Sequence, residues 1–269
     1  MDEIKKDNIA DESVEPGQEN NEPKDQAKPI FGRRRIQFAL ILVLLCAVLS
    51  YIWLLPDPGV PIPGAMISEI QGDVKVQQPG SDELLAAENG MTLQAGGLVF
   101  TGSDGRARID IGDHVFSRLG PNSDFIFQSA SLHKKGFYAS FKLEVGEIWI
   151  ILNGGSLDVD TPDGLASVRG SYMNVRVDPL TGTRVTCLEG HCQVITQGGS
   201  VRITTGEFAE ITDSIYPPTP GCMTNGDVSI WLSVNPESTR TVPTVTSESP
   251  LCWGKYSGGV SPTSPNGPT

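Results

Sequence analysis

Histidine is scarce in this chain of 269 residues, which holds three: His114, His133 and His191. None accompanies a G-x-S-x-G elbow or another nucleophile-and-base constellation, so the sequence gives little to covalent or acid–base catalysis and no enzyme is expected. A positive net charge is missing too. Lys and Arg number 20 against 32 Asp and Glu, a formal net charge of −12. That balance repels phosphate backbones, and no nucleic-acid partner is expected. No strict sequence period marks a repeat family. Long apolar runs are absent with one exception, and that exception organises the chain.

Ile36 to Leu55 reads IQFALILVLLCAVLSYIWLL, twenty residues without a charge. A helix of that length, at about 1.5 Å per residue, matches a bilayer core of roughly 30 Å, so one transmembrane helix is expected over 36–55. Arg33, Arg34 and Arg35 abut its start, which puts the N-terminus in the cytoplasm and the remainder outside the cytoplasmic membrane. A cleaved signal peptide is the competing reading. The long leader, the length of the run and the lack of a nearby small-x-small site favour an uncleaved anchor.

Residues 1–35 hold nine acids and seven bases with few apolar side chains, the composition of a disordered cytoplasmic tail. Of the chain's 32 acids and 20 bases, 23 and 13 then lie beyond residue 35. Residues 56–64 read as a stiff proline-rich spacer. From 65 to 213 short alternating runs recur between turn signals, among them DVKVQ, ARIDIG, EIWII and VRITT. With no crossover helices between them, they predict an all-β domain, two-layered or short and solenoid-like. Residues 214–269 turn to Pro, Ser, Thr and Gly, with one short helix in NGDVSIWLS capped by Asn225 or Asp227.

Five cysteines divide the same way. Cys46 lies in the span, and Cys187, Cys192, Cys222 and Cys252 lie outside, where disulfides persist. Four cysteines allow three pairings. Proximity favours Cys187 with Cys192, on the two arms of a hairpin, and Cys222 with Cys252.

The stretch TPDGLASVRGSYMNVRVD, residues 161–178, loses phase: its apolar positions are Ala166 and Val168, then Met173, Val175 and Val177. Alternate residues of a strand face opposite ways, so an extra residue must bulge out, and Gly170 is the candidate. Arg169, Asn174 and Arg176 then share the face opposite the apolar set and could offer donors to an acidic partner. Alternatively, Arg169 ties a turn carbonyl or a neighbouring carboxylate. DVDTPDG, residues 158–164, superficially resembles a calcium loop. Pro162 occupies a ligand position, however, and no bidentate acid closes the loop. Cys187, His191 and Cys192 lack a fourth metal ligand. No metal and no cofactor are expected.

Several of these words together resemble the FecR domain family: LQAGGLVFTGSDGRARIDIGD (93–113), LGPNSDFIF (119–127), LEVGEIWI (143–150), LDVDTPDGLASVRGSYMNVRV (157–177) and CLEGHCQVITQGGSVRITTGEFAEI (187–211). Thr161-Pro162 followed by Val168-Arg169-Gly170 is the most characteristic part. Ser171 and Tyr172 replace the Thr and Phe more usual after that Arg-Gly. The resemblance implies a non-enzymatic β domain outside the cytoplasmic membrane of a bacterium. Founding members relay a signal from an outer-membrane transducer to a cytoplasmic sigma factor through a folded sigma-binding region, which residues 1–35 do not match. The function expected is therefore a membrane-anchored binding module, a sensor or signalling accessory whose partner is an envelope protein. The alternative is a structural or surface module on an envelope polymer, and a third reading is a sigma-factor regulator.

Overall fold

The computed structural model describes residues 32–54 and 59–240. The expected tail over 1–31, Cys252 and the polar C-terminal end lie outside the described residues. Helix α1 spans Arg33–Leu54. Its side chains are placed over residues 36–51, and all are exposed on every side of the helix. Among the described residues no helix is long and apolar enough to cross a membrane.

The second compact unit is built from strands. In chain order these are β1 (Val60–Pro61), β2 (Gly64–Gln71), β3 (Val74–Gln77), β4 (Leu85–Ala86), β5 (Thr92–Gln94), β6 (Leu98–Thr101), β7 (Arg106–Ile111) and β8 (Val115–Leu119). They continue as β9 (Asp124–His133), β10 (Gly136–Leu152), β11 (Ser156–Asp160), β12 (Leu165–Asp178), β13 (Gly182–Thr196), β14 (Gly199–Thr204), β15 (Glu207–Ile211) and β16 (Thr219–Cys222). Helix α2 (Asn225–Val234) and a 3-10 turn (Pro236–Arg240) follow.

Three long strands carry the architecture, because each changes partners midway. The first part of β10 pairs with β9 and, in parallel, with β11, while residues 146–152 pair with β8 and β12. β12 and β13 divide likewise: Leu165–Arg169 lies between β11 and the end of β13, and Tyr172–Asp178 lies between β10 and the start of β13. The start of β13 pairs with β15 and its end with β14. The strands thus turn a shared corner and supply two layers. One layer runs β4-β3-β6-β9-β10-β11-β12-β13-β14, and the other β5-β2-β7-β8-β10-β12-β13-β15-β16. The parallel pair arises because β10 passes through the second layer before β11 returns beside its start. The expected all-β class is therefore present, with the long strands shared between two layers.

Alternation explains which side chains fill the space between. Phe125, Phe127, Phe141, Leu143, Leu157, Val168, Val175 and Val185 are buried in one cluster. Phe125 and Phe141 meet edge to face at 5.0 Å, a geometry that aromatic quadrupoles favour.

Two boundaries differ from the sequence expectation. The spacer is not free as far as residue 64: Val60 and Pro61 pair with Leu132 and Ser131, and Ile62 N–H donates to the Ala130 carbonyl at 2.8 Å. Proline is tolerated there because β1 is a sheet edge. Nor does the domain end at 213, since β16 extends β15 and α2 packs on the second layer.

Candidate functional site

The site begins at the corner of β12. Arg169 pairs with His191, Tyr172 with Glu189 and Met173 with Cys187, so the register slips at Gly170–Ser171 and slips back at Leu188. Gly170 has φ +55°, where a side chain is strained. It faces Gly190, at φ +81°, and a Cβ there would approach Ser171 Oγ to 2.5 Å. The slip returns Met173, Val175 and Val177 to the core after Ala166 and Val168, all of them buried.

Beyond the corner the outward face of the second layer is apolar. Residues 148–152, IWIIL, are buried without interruption. Ile148, Ile150 and Leu152 belong to the core between the layers, whereas Trp149 and Ile151 join Leu188, Met223, Val228 and Trp231 in a second cluster. Phe116 and Tyr172 pack against it. A strand with both faces covered needs no alternation, and the cover is α2. Thr224, not Asn225 or Asp227, is its N-cap, and Asp227 reaches back to the Thr224 backbone in a capping box. The correction is physical: the cap's side chain must accept from a backbone N–H two or three positions on, and Thr224 Oγ1 accepts from Asp227 N–H at 3.3 Å. Trp231 Nε1 donates to Ser238 Oγ at 2.8 Å.

Charges fix the ends of this cover. Arg184 stacks over Phe208 at 3.6 Å and donates to Glu210 at 2.6 Å and to Asp227 at 3.4 Å. Arg118 donates to Asn235 Oδ1 at 3.0 Å, to Glu237, and to Glu69 at 3.2 Å. Burial pulls the Glu69 carboxyl up, but hydrogen bonds and charge from Arg108 and Arg118 outweigh it and hold the group below its ordinary value.

A small open cleft remains between sheet and helix, its lining including Glu147, Asn174, Arg176, Arg184, Asp227 and Ile230. Burial raises the Glu147 carboxyl, opposed by the hydrogen bond from Asn174 and the charges of Arg176 and Arg106.

The expected donor row is only partly assembled. Arg169 and Arg176 are exposed, and among the described residues neither forms an ion pair. The alternative of Arg169 tied to a carbonyl or carboxylate is not seen either. Asn174 is buried: its amide donates to Glu147 Oε1 at 3.0 Å and to the Ile148 carbonyl at 3.1 Å, and its oxygen accepts from Thr186 at 3.2 Å. It is a structural link beneath α2, unavailable to a partner.

The cysteine hairpin is also corrected. Cys187 and Cys192 lie on one strand, β13, which bends at Leu188–Gly190. Their sulfurs come to 2.6 Å, yet both are free thiols. Burial, then contact with Cys187, raises the Cys192 thiol far above its ordinary value. His191 is exposed on the other face, so these three do not converge on a metal. Cys46 is free, and Cys222 is disulfide-bonded.

The calcium-like loop is a tight hairpin turn, with Thr161 N–H donating to the Gly164 carbonyl at 2.8 Å. Asp158 accepts from Tyr138 and Ser167, and Asp163 from Thr183. The histidines stand apart: His114 stacks on Phe137, and His133 meets Ser131 two residues away on the same strand.

Residues 98–193 match the family described as FecR protein. The match begins with β6 and ends within β13, so α2 lies beyond it. No curated protein matches the chain. Two crystal structures of a protein provisionally described as an anti-sigma factor from Parabacteroides distasonis ATCC 8503, at 1.65 and 2.50 Å, are similar at 13% identity with TM-scores of 0.43 and 0.42. They cover 50% and 49% of this chain, which in turn spans 64% and 62% of theirs.

Proposed function

We propose that this chain is a bacterial signalling protein anchored in the cytoplasmic membrane, with its N-terminus inside and its FecR domain outside binding a protein partner. The FecR match over residues 98–193 carries the reading. The uncharged run Ile36–Leu55 behind three arginines supports the anchor and its orientation. Exposed apolar side chains around α1 support it further, since water gives such a helix nothing to bury against. The partner is an envelope receptor or a regulator, and the finer reading in best accord with the family is control of a sigma factor across the membrane. The role is binding without catalysis.

Crosslinking in whole cells tests this, comparing the full chain with a version lacking residues 2–28. A sigma factor captured only by the full chain supports transmembrane regulation, while envelope proteins captured by both support an external accessory. Capture of neither, with hydrolytic activity in the purified protein, would end the signalling reading.

A further inference from the structure

The face beneath α2 is anomalous for the outside of a β domain. Phe116, Trp149, Ile151, Tyr172 and Leu188 would form an apolar patch if uncovered, and such patches mark interaction sites. The cover is slight. α2 has ten residues, of which Val228 and Trp231 are buried, and a helix this short is marginal without tertiary contacts. It lies outside the FecR match.

Charge complementarity defines what the face accepts. The sheet contributes Arg118 and Arg184, and the covering segment contributes Glu237 and Asp227. One basic position of the sheet forms no ion pair among the described residues. Arg176 sits directly opposite Arg184 across the β12–β13 ladder, an arrangement that costs stability unless an acid intervenes. Glu147 lines the same cleft, but it accepts from Asn174 and forms no ion pair with Arg176. At the point where α2 borders this cleft it offers Ile230, which is 55% exposed. A carboxylate would suit that position better.

We propose that this face is a helix-docking groove, closed in cis by α2 and the 236–240 turn, which an acidic amphipathic helix of a protein partner occupies by displacing them. The partner helix presents two apolar anchors at the spacing of Val228 and Trp231 and acids at the positions of Asp227 and Ile230, and the residues that follow it carry an acid to Arg118 as Glu237 does. The proposal rests on the reading of the domain as a protein-binding module. A groove shut most of the time lowers apparent affinity by the fraction open, so loosening the cis helix must raise it.

The test uses the full chain, as wild type and with Asp227→Arg and Glu237→Arg together, with Trp231→Ala as a second loosened form. Hydrogen exchange over 225–240 identifies the form in which α2 opens. The probes are labelled peptides of residues 223–240, native and Ile230→Glu, followed by fluorescence anisotropy. The opened form is expected to bind the native peptide about tenfold tighter than wild type does. The Ile230→Glu peptide should bind tighter still, and Arg176→Ala in the protein should erase that gain. An opened form that binds neither peptide overturns the proposal, as does an α2 that stays protected in both variants or a gain that survives Arg176→Ala. Failure here with envelope crosslinks retained would remove the groove and leave the binding module standing.

Discussion

The ring of Tyr172 on β12 lies nearly parallel to that of Trp231 on α2, with 5.8 Å between centroids and 12° between planes. This contact joins the FecR stretch to the segment beyond it. Tyr172 stands just after the Gly170 corner, so the bulge that restores the core also aims this ring outward at α2.

Trp231→Ala should detach that segment. Trp231 is 1% exposed and its indole N–H is satisfied, so truncation removes a packed aromatic and is expected to cost about 3 kcal/mol. Trp231→Phe keeps the stack and loses the hydrogen bond to Ser238, at a cost of about 1 kcal/mol. Chemical denaturation of both variants measures the difference. Equal loss in the two would show that stacking contributes little.

Gly170→Val tests the corner. The nearest atom to a Cβ there is Gly154 Cα at 3.8 Å, so space is available and the cost is backbone strain, roughly 1 to 3 kcal/mol. Gly190→Val should cost more, because its Cβ would also collide with Ser171. Gly170→Asn should be milder, since Asn tolerates positive φ. Thermal unfolding that ranks the three otherwise would show that strain does not govern the site.

Much of this was legible in the sequence. The change of parity between Val168 and Met173 located the slip, and alternation located the core. What was not legible depends on distant cover. EIWII reads as one more strand, because nothing near it tells that Trp149 and Ile151 face a helix some eighty positions downstream. Asn174 read as an exposed donor for the same reason. Cys187-Leu-Glu-Gly-His-Cys192 has the look of a tight turn, but a bulge facing Gly170 lets one strand bend there and brings the sulfurs together without a hairpin.

Those sulfurs, 2.6 Å apart, are placed to join. Two thiols and a disulfide of a small oxidant would exchange to one protein disulfide and two small thiols. Burial keeps Cys192 protonated, so the folded reduced domain should react slowly, whereas chain folded under oxidising conditions should carry the link. Non-reducing peptide mapping is expected to find Cys187 joined to Cys192, Cys222 to Cys252 and Cys46 free. A Cys192–Cys222 bridge would contradict the pairing.

Glu147 gives the domain a dependence on pH that can be traced to one cleft. Its carboxyl is raised in the folded protein, mainly by burial, so the fold holds that proton more tightly than the unfolded chain does. This carboxyl therefore leaves stability unreduced below the unfolded value and lowers it as pH rises through the raised folded one. Glu147→Gln retains an acceptor for Asn174 and cannot ionise. Its unfolding temperature should match that of wild type in acid and exceed it at neutral pH. Arg176→Ala supplies the converse, because Arg176 helps hold the Glu147 carboxyl down. Its loss should widen the neutral-pH deficit of wild type and have no such effect once Glu147 is Gln, a coupling that the double-mutant cycle isolates. A Gln variant less stable than wild type at neutral pH would show that the ionised carboxylate stabilises the cleft after all.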